Sequence, residues 1–197
     1  MYSLFNHQFN KRSLVVCPGE RCVSADDIII QTVLGSCIAV CLYSDGGAVC
    51  GMNHFLLPDA KRSPAGLLQS DAGRYGIHAM ELLINDMMKR GVARHAMKAK
   101  VFGGGSMFSG TASFSDVAGA NIAFVREFLA VERIPIIGSN VGGAGARKVL
   151  FFVRSKEVLL ARIGRGEARG AISEERAYRQ RIAAGAAEDI TFFDEEG

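Results

Sequence analysis

The amino-acid sequence predicts an α+β fold, and three observations carry that reading. Strand-like apolar runs follow one another in pairs across turn residues. Only two long stretches have a helical period, so the order is not the βαβ alternation of a parallel sheet. Apolar residues fill 49% of the 197 positions and charged residues 22%, which suits one packed domain and excludes disorder over most of the chain. No internal repeat interrupts that picture.

Residues 1–12 are polar and are expected to form a loose N-terminal arm. Residues 13–17 (SLVVC) read as a strand ended by Pro18-Gly19, and the β-branched run 27–34 (DIIIQTVL) as another. Gly35-Ser36 interrupts the chain before two further strands, 37–44 (CIAVCLYS) and 47–57 (GAVCGMNHFLL), which flank Asp45-Gly46. An Asp-Gly pair between such runs predicts a two-residue hairpin turn. A polar loop over 58–70 follows.

Between 71 and 90, Ile77, Met80, Leu83, Ile84, Met87 and Met88 recur at helical spacing, and Gly91 supplies the stop. Residues 98–102 (KAKVF) read as a strand running into Gly103-Gly104-Gly105. A second helix is expected over 120–131, with Ile122, Val125, Phe128 and Leu129 inward. Then come a strand at 134–137, the glycine-rich 141–145 (VGGAG), and a hairpin of 147–153 with 157–163. Beyond 163 the composition shifts to a Gly/Arg linker, a short polar helix over 173–184, and an acidic end around Phe192-Phe193. The expected organisation is therefore an arm (1–12), one domain (13–163) and an appendage (164–197).

Composition excludes several function classes. A net charge of +3 without a basic block, and no Trp, leave no Lys/Arg stripe with interleaved aromatics for nucleic acid or an anionic membrane. No apolar run is long enough to span a bilayer. The first residues lack the apolar core of a secretory signal, and an odd count of five cysteines fits free thiols in a reducing cytoplasm.

All five cysteines fall between residues 17 and 50. If Asp45-Gly46 is the hairpin turn, Cys37 faces His54 and Cys41 faces Cys50, with opposed Cβ atoms about 4.5–5.5 Å apart. An imidazole at that separation draws off the thiol proton and leaves a nucleophilic thiolate. Centring the turn on Gly46-Gly47 instead puts His54 opposite Ala39. Taken singly, Cys37 reads as a packed thiol and His54 as a core histidine. Together, with Gly35-Ser36 exposing the thiol and adjacent amides, they read as a nucleophile, a base and an oxyanion hole.

A Cys3His zinc site from Cys37, Cys41, Cys50 and His54 conflicts with geometry. Residues four apart on a strand lie about 13 Å apart, whereas zinc ligands sit within about 2.3 Å of the metal. Cys41 and Cys50 therefore read as an opposed pair of packed thiols, and Cys17 and Cys22 carry no role. Gly103-Gly104-Gly105 matches no phosphate-binding spacing and reads as a close backbone approach or a plain turn. His7, His78 and His95 have no companions in sequence.

These residues carry a likeness. The stretches TVLGSCIAVCLYS (32–44), GMNHFLLP (51–58), RYGIHAMELLINDM (74–87), AKVFGGGSMF (99–108), IPIIGSNVGG (134–143) and ARKVLFFV (146–153) resemble the chemoreceptor glutamine deamidase family, CheD. The likeness spans roughly residues 13–163 in the family's order and spacing. It implies a three-layer α/β/β sandwich and a cysteine hydrolase that converts glutamines of methyl-accepting chemotaxis receptors to glutamate, with no cofactor and no metal. By position, Cys37 matches the family's nucleophile and His54 its general base.

The third member is a threonine that orients the histidine. A threonine six residues before the cysteine would fall at Gln31, whereas Thr32 lies five before it. One residue along a strand reverses the facing side, so either a local bulge restores Thr32 or Gln31 takes its place. The implied partners are receptor cytoplasmic domains and a CheC-type phosphatase. A non-enzymatic adaptor role toward the same partners is the alternative reading.

Overall fold

The structure, a computed structural model, describes residues 1–57, 68–106, 112–164, 170, 173–178 and 180–182. The expected loop is described only at 68–70, so 58–67 of it, and the acidic tail with Phe192 and Phe193, lie outside the described residues. In chain order the elements are β1 (Tyr2–Asn6), β2 (Lys11–Val15), β3 (Arg21–Ser24), β4 (Ile29–Leu34), β5 (Ile38–Tyr43) and β6 (Cys50–Phe55). They continue with α1 (Asp71–Lys89), a 3-10 turn at Arg94–Ala96, β7 (Lys98–Gly103), α2 (Ala112–Val131), β8 (Ile136–Val141), β9 (Ala146–Phe152) and β10 (Val158–Ile163).

The strands form two sheets, ordered β1-β2-β4-β9-β10 and β3-β6-β5-β7-β8. Pairing is antiparallel except β2 with β4 and β7 with β8. Strand periodicity explains the layers. In β5, Ile38, Val40 and Leu42 face α1 and α2, where they meet Met80, Leu83, Phe124 and Leu129. Ala39, Cys41 and Tyr43 face the opposite way into the space between the sheets, with Met52, Ile30, Leu34 and Phe151. The second sheet is thus buried on both faces, and β5 and β6 are buried at every position. Helices, sheet and sheet stack as the α/β/β sandwich expected of an α+β chain.

Local signals account for most boundaries. Ser70 caps α1 by accepting from the Gly73 amide at 3.0 Å, and Gly91 follows its end at φ +87°. Among the described residues no helix is long and apolar enough to cross a membrane.

Two expectations change, and one strand appears that was not expected. Residues 2–6 are no loose arm: they pair with 11–15 as an edge hairpin. β3 forms on a polar stretch, RCVS, because β6 offers it an open edge to pair with. Asp45-Gly46 is not a two-residue turn. A type I′ turn needs positive φ at both central residues, and neither Asp45 nor Gly46 has it. Instead residues 44–49 form a longer connection, with the Asp45 carboxylate paired to Lys98 and the Asp45 carbonyl accepting from Lys156 Nζ at 2.9 Å. The register therefore sets Ala39 opposite His54 and Cys41 opposite Met52.

The chain passes from the first sheet to the second between Leu34 and Ile38, through bends at Gly35 and Ser36. That crossing is braced by the triglycine after β7, whose Gly104 and Gly105 amides donate to the Cys37 and Gly35 carbonyls, each at 2.7 Å. Gly103 sits at φ +114°, and a Cβ there would lie 2.0 Å from the Cys37 carbonyl oxygen. The close backbone approach expected of this cluster is what the structure contains. Gly103→Ala is expected to lower the unfolding free energy by about 2–4 kcal/mol through backbone strain and displacement of the β5 start. Urea denaturation of the two proteins measures this.

Candidate active site

His54 lies on β6 with its ring in the layer between the sheets, and only 3% of the residue is exposed. A buried imidazole needs partners for its polar atoms. Its Nδ1 lies 2.8 Å from Thr32 Oγ1 on β4, in the other sheet. The Thr32 hydroxyl donates its proton to the Val16 carbonyl at 2.7 Å. Having one proton to give, Oγ1 must accept from His54. Nδ1 therefore carries the hydrogen, which also reaches toward Val16 O at 3.4 Å.

The consequence lies at the other ring nitrogen. Nε2 holds a lone pair, is buried, and has no hydrogen-bond partner among the described residues. Burial pushes the imidazole down from 6.5 to about 4, against smaller upward pulls from the Val16 carbonyl and Glu20. At neutral pH the ring is uncharged and Nε2 is a proton acceptor. Burial works against the imidazolium of the thiolate–imidazolium pair expected from sequence.

Cys37 is fully buried, one residue before β5, and belongs to the same inter-sheet cluster as Ala39 and Leu56. Because Ala39 is the residue opposite His54, Cys37 is its diagonal neighbour on the same face, not its direct partner. Diagonal pairs are about 7–8 Å apart at the backbone and remain within reach of side chains. The Gly35-Ser36 crossing does not expose the thiol. It aims the peptide carbonyls of Gly35 and Cys37 at the triglycine, and the trans geometry turns the following amides the other way.

Thr32, not Gln31, reaches the histidine. Gln31 is buried with Oε1 unpartnered among the described residues. No bulge is involved: the chain changes sheets between Leu34 and Ile38, so counting side-chain parity back from Cys37 fails. Thr32 shares the inward face of β4 with Ile30 and Leu34.

The pairing expected of Cys41 and Cys50 also changes. Cys50 stands opposite Tyr43, so the two cysteines are diagonal neighbours, and none of the five cysteines is in a disulfide. Burial raises both thiols, Cys50 to about 11, so each stays protonated. Cys50 Sγ donates to Val153 O at 3.4 Å.

Sequence reasoning missed Asn121 and Tyr75. Asn121 on α2 is fully buried, and its Nδ2 donates to Ser36 O at 3.1 Å while its Oδ1 accepts from Leu57 N at 2.9 Å. One side chain thus ties the turn before Cys37 to the chain just beyond His54. The signal was present: Asn121 stands four residues before Val125 on the inward stripe of α2, a polar residue on an apolar face. Tyr75 on α1 is close enough that Cys37 helps raise its hydroxyl, after burial. Nothing in helical spacing marks it.

Comparison with known proteins points one way. A family model described as CheD chemotactic sensory transduction matches residues 56–162. A protein of Laribacter hongkongensis named "Probable chemoreceptor glutamine deamidase CheD" is 41% identical over 183 residues, covering 90% of this chain and 85% of that one. One of Shewanella oneidensis, named likewise with the number 2, is 48% identical over 151 residues, 74% and 75% of the two chains. One of Caulobacter vibrioides with the same CheD name is 47% identical over 157 residues, 78% and 81%.

The depressed imidazole has a consequence for stability. The unfolded chain takes up this proton near 6.5 and the folded one only near 4. The contribution to stability is complete above about pH 6.5 and is lost as pH falls toward about 4, on the order of 3 kcal/mol. Unfolding free energies at pH 7 and pH 4.5 are expected to differ more for the wild-type chain than for His54→Gln. Equal pH slopes in the two proteins would contradict it.

Proposed function

The chain belongs to the CheD family, and from that premise we propose that it is a protein-glutamine deamidase acting on the cytoplasmic domains of chemotaxis receptors. The observation that carries the reading is the orphaned Nε2 of His54. It is held as a proton acceptor by the Thr32–Val16 clamp, on the face that Cys37 shares. A core histidine kept only for packing leaves no buried acceptor unpaired. A general base requires one.

The chemistry follows from these groups. Nε2 takes the Cys37 proton as sulfur attacks the carboxamide carbon and the C=O electrons move to oxygen. The Ser36 amide, which follows the Gly35 carbonyl and so points away from the triglycine, suits the oxyanion. Collapse expels the amine, protonated by the imidazolium, and leaves a thioester with release of ammonia. Water then attacks the thioester carbon with His54 again accepting the proton, the C–S bond breaks, and the imidazolium protonates sulfur, so that glutamate is formed and the free thiol restored. The net reaction consumes one water per glutamine. Thr32 is a positioning residue, since it acts through His54.

Cys37→Ala is expected to abolish ammonia release from receptor cytoplasmic fragments, together with the mass gain of about 1 Da per converted glutamine that thioester hydrolysis leaves. Its circular dichroism should stay unchanged. Full activity in that variant overturns the reading in favour of an adaptor. Thr32→Val keeps the shape but not the acceptor. Its kcat is expected to fall by about tenfold to a hundredfold, part of what a positioned base contributes, with KM preserved and a changed kcat–pH profile. A role in packing alone would leave that profile unmoved.

A further inference from the structure

The C-terminal segment lies on the site. Residues 173–178 and 180–182 are helical. Glu175, Tyr178 and Ile182, spaced at three and four, are the less exposed stripe of a segment otherwise open to solvent. Each has a partner at the catalytic layer. The Glu175 carboxylate accepts from the hydroxyl of Ser36, the residue before Cys37. The Tyr178 hydroxyl is hydrogen-bonded to that of Tyr75, with the rings 6.4 Å apart. The Tyr178 ring also rests on Gly19 so closely that a Cβ there would lie 2.4 Å from it. Gly19 in turn donates to the His54 carbonyl at 2.7 Å. Tyr178 is 7% exposed and packs in the same cluster as Cys37, with Ile182 against it.

Glu175 is therefore a glutamate on a helix, held by a hydroxyl next to the nucleophile. That is the chemical form of the product a glutamine deamidase leaves on a helical receptor. With the segment seated, neither Cys37 nor His54 is reachable by another chain.

We propose that the helical residues 173–178 and 180–182 are an intramolecular occupant of the substrate seat, which competes with the incoming glutamine-bearing helix for the surface formed by Gly19, Ser36 and Tyr75. The occupancy stands on these contacts alone, whereas its competition with a glutamine substrate rests on the deamidase reading. The segment must lift for turnover, so apparent substrate affinity is reduced by the fraction of chains that are open.

The test compares the full-length wild-type chain with Glu175→Ala, which removes the contact to Ser36, and Tyr178→Phe, which removes only a hydroxyl. Iodoacetamide labelling is read cysteine by cysteine by mass, beside ammonia release from a receptor cytoplasmic fragment. Both variants are expected to label Cys37 about tenfold faster, the shift that one lost buried hydrogen bond gives, and to lower KM by a similar factor with kcat unchanged. Cys41 and Cys50, packed between the sheets, are expected to stay unlabelled, which separates lifting of the segment from unfolding. Unchanged Cys37 labelling in both variants overturns the proposal even where ammonia is released. Faster labelling with no ammonia release from any of the three proteins overturns the deamidase reading and the competition, and leaves the occupancy intact.

Discussion

In the apolar layer between the two sheets, the Thr32 hydroxyl stands between the His54 imidazole and the Val16 carbonyl, and the arrangement of the site depends on it. His54 comes from the sheet that carries the helices, and Thr32 and Val16 from the other. An imidazole placed there without an acceptor for Nδ1–H would cost about 1–3 kcal/mol. The relay meets that need and settles the tautomer in the same step, and with it which ring nitrogen is left as an acceptor. Nε2 is left unpaired as the reciprocal of that choice.

The proposed nucleophile is positioned by different means. Cys37 sits where the chain leaves one sheet for the other, and such a crossing has no ladder of its own to hold it. The triglycine amides and the Asn121 carboxamide supply the missing constraints from β7 and α2. Close approach of backbone to backbone is possible only because Gly103 lacks a side chain. The same Asn121 reaches Leu57, so the two chain ends that carry thiol and imidazole move together. Burial that makes this layer rigid also holds the imidazole neutral and keeps solvent from the thiol. A seated C-terminal helix fits that balance, since it covers a site whose imidazole burial holds neutral.

Much of the fold was legible because periodicity reports burial directly. α1 is bounded almost where Ser70 and Gly91 place it, and the strands on either side of Gly35-Ser36 follow from their β-branched and apolar runs. β1 and β3 were not read from the sequence, since each exists by pairing with an edge. The hairpin register failed on Asp45-Gly46, where Lys98 of β7 and Lys156 of the β9–β10 connection hold Asp45 in a wider loop. α2 begins well before the expected residue 120, at Ala112.

For the candidate site, Cys37 and His54 stand out in the sequence because their neighbours form a distinctive string, and local chemistry plus resemblance reads such strings; their roles rest on the proposal. Which of Thr32 and Gln31 meets the imidazole was not recoverable. Parity along one strand says nothing once the chain crosses to another sheet, and only the stacking of the two sheets brings Thr32 Oγ1 to Nδ1. The diagonal relation of Cys37 to His54, the brace from Asn121 and the seat taken by Glu175 and Tyr178 belong to the same class. Sequence by itself determined which segments pair and which side chains can do chemistry, because those depend on neighbours along the chain. Tertiary structure alone decided which groups meet, because contacts between layers are set by packing among residues far apart in sequence.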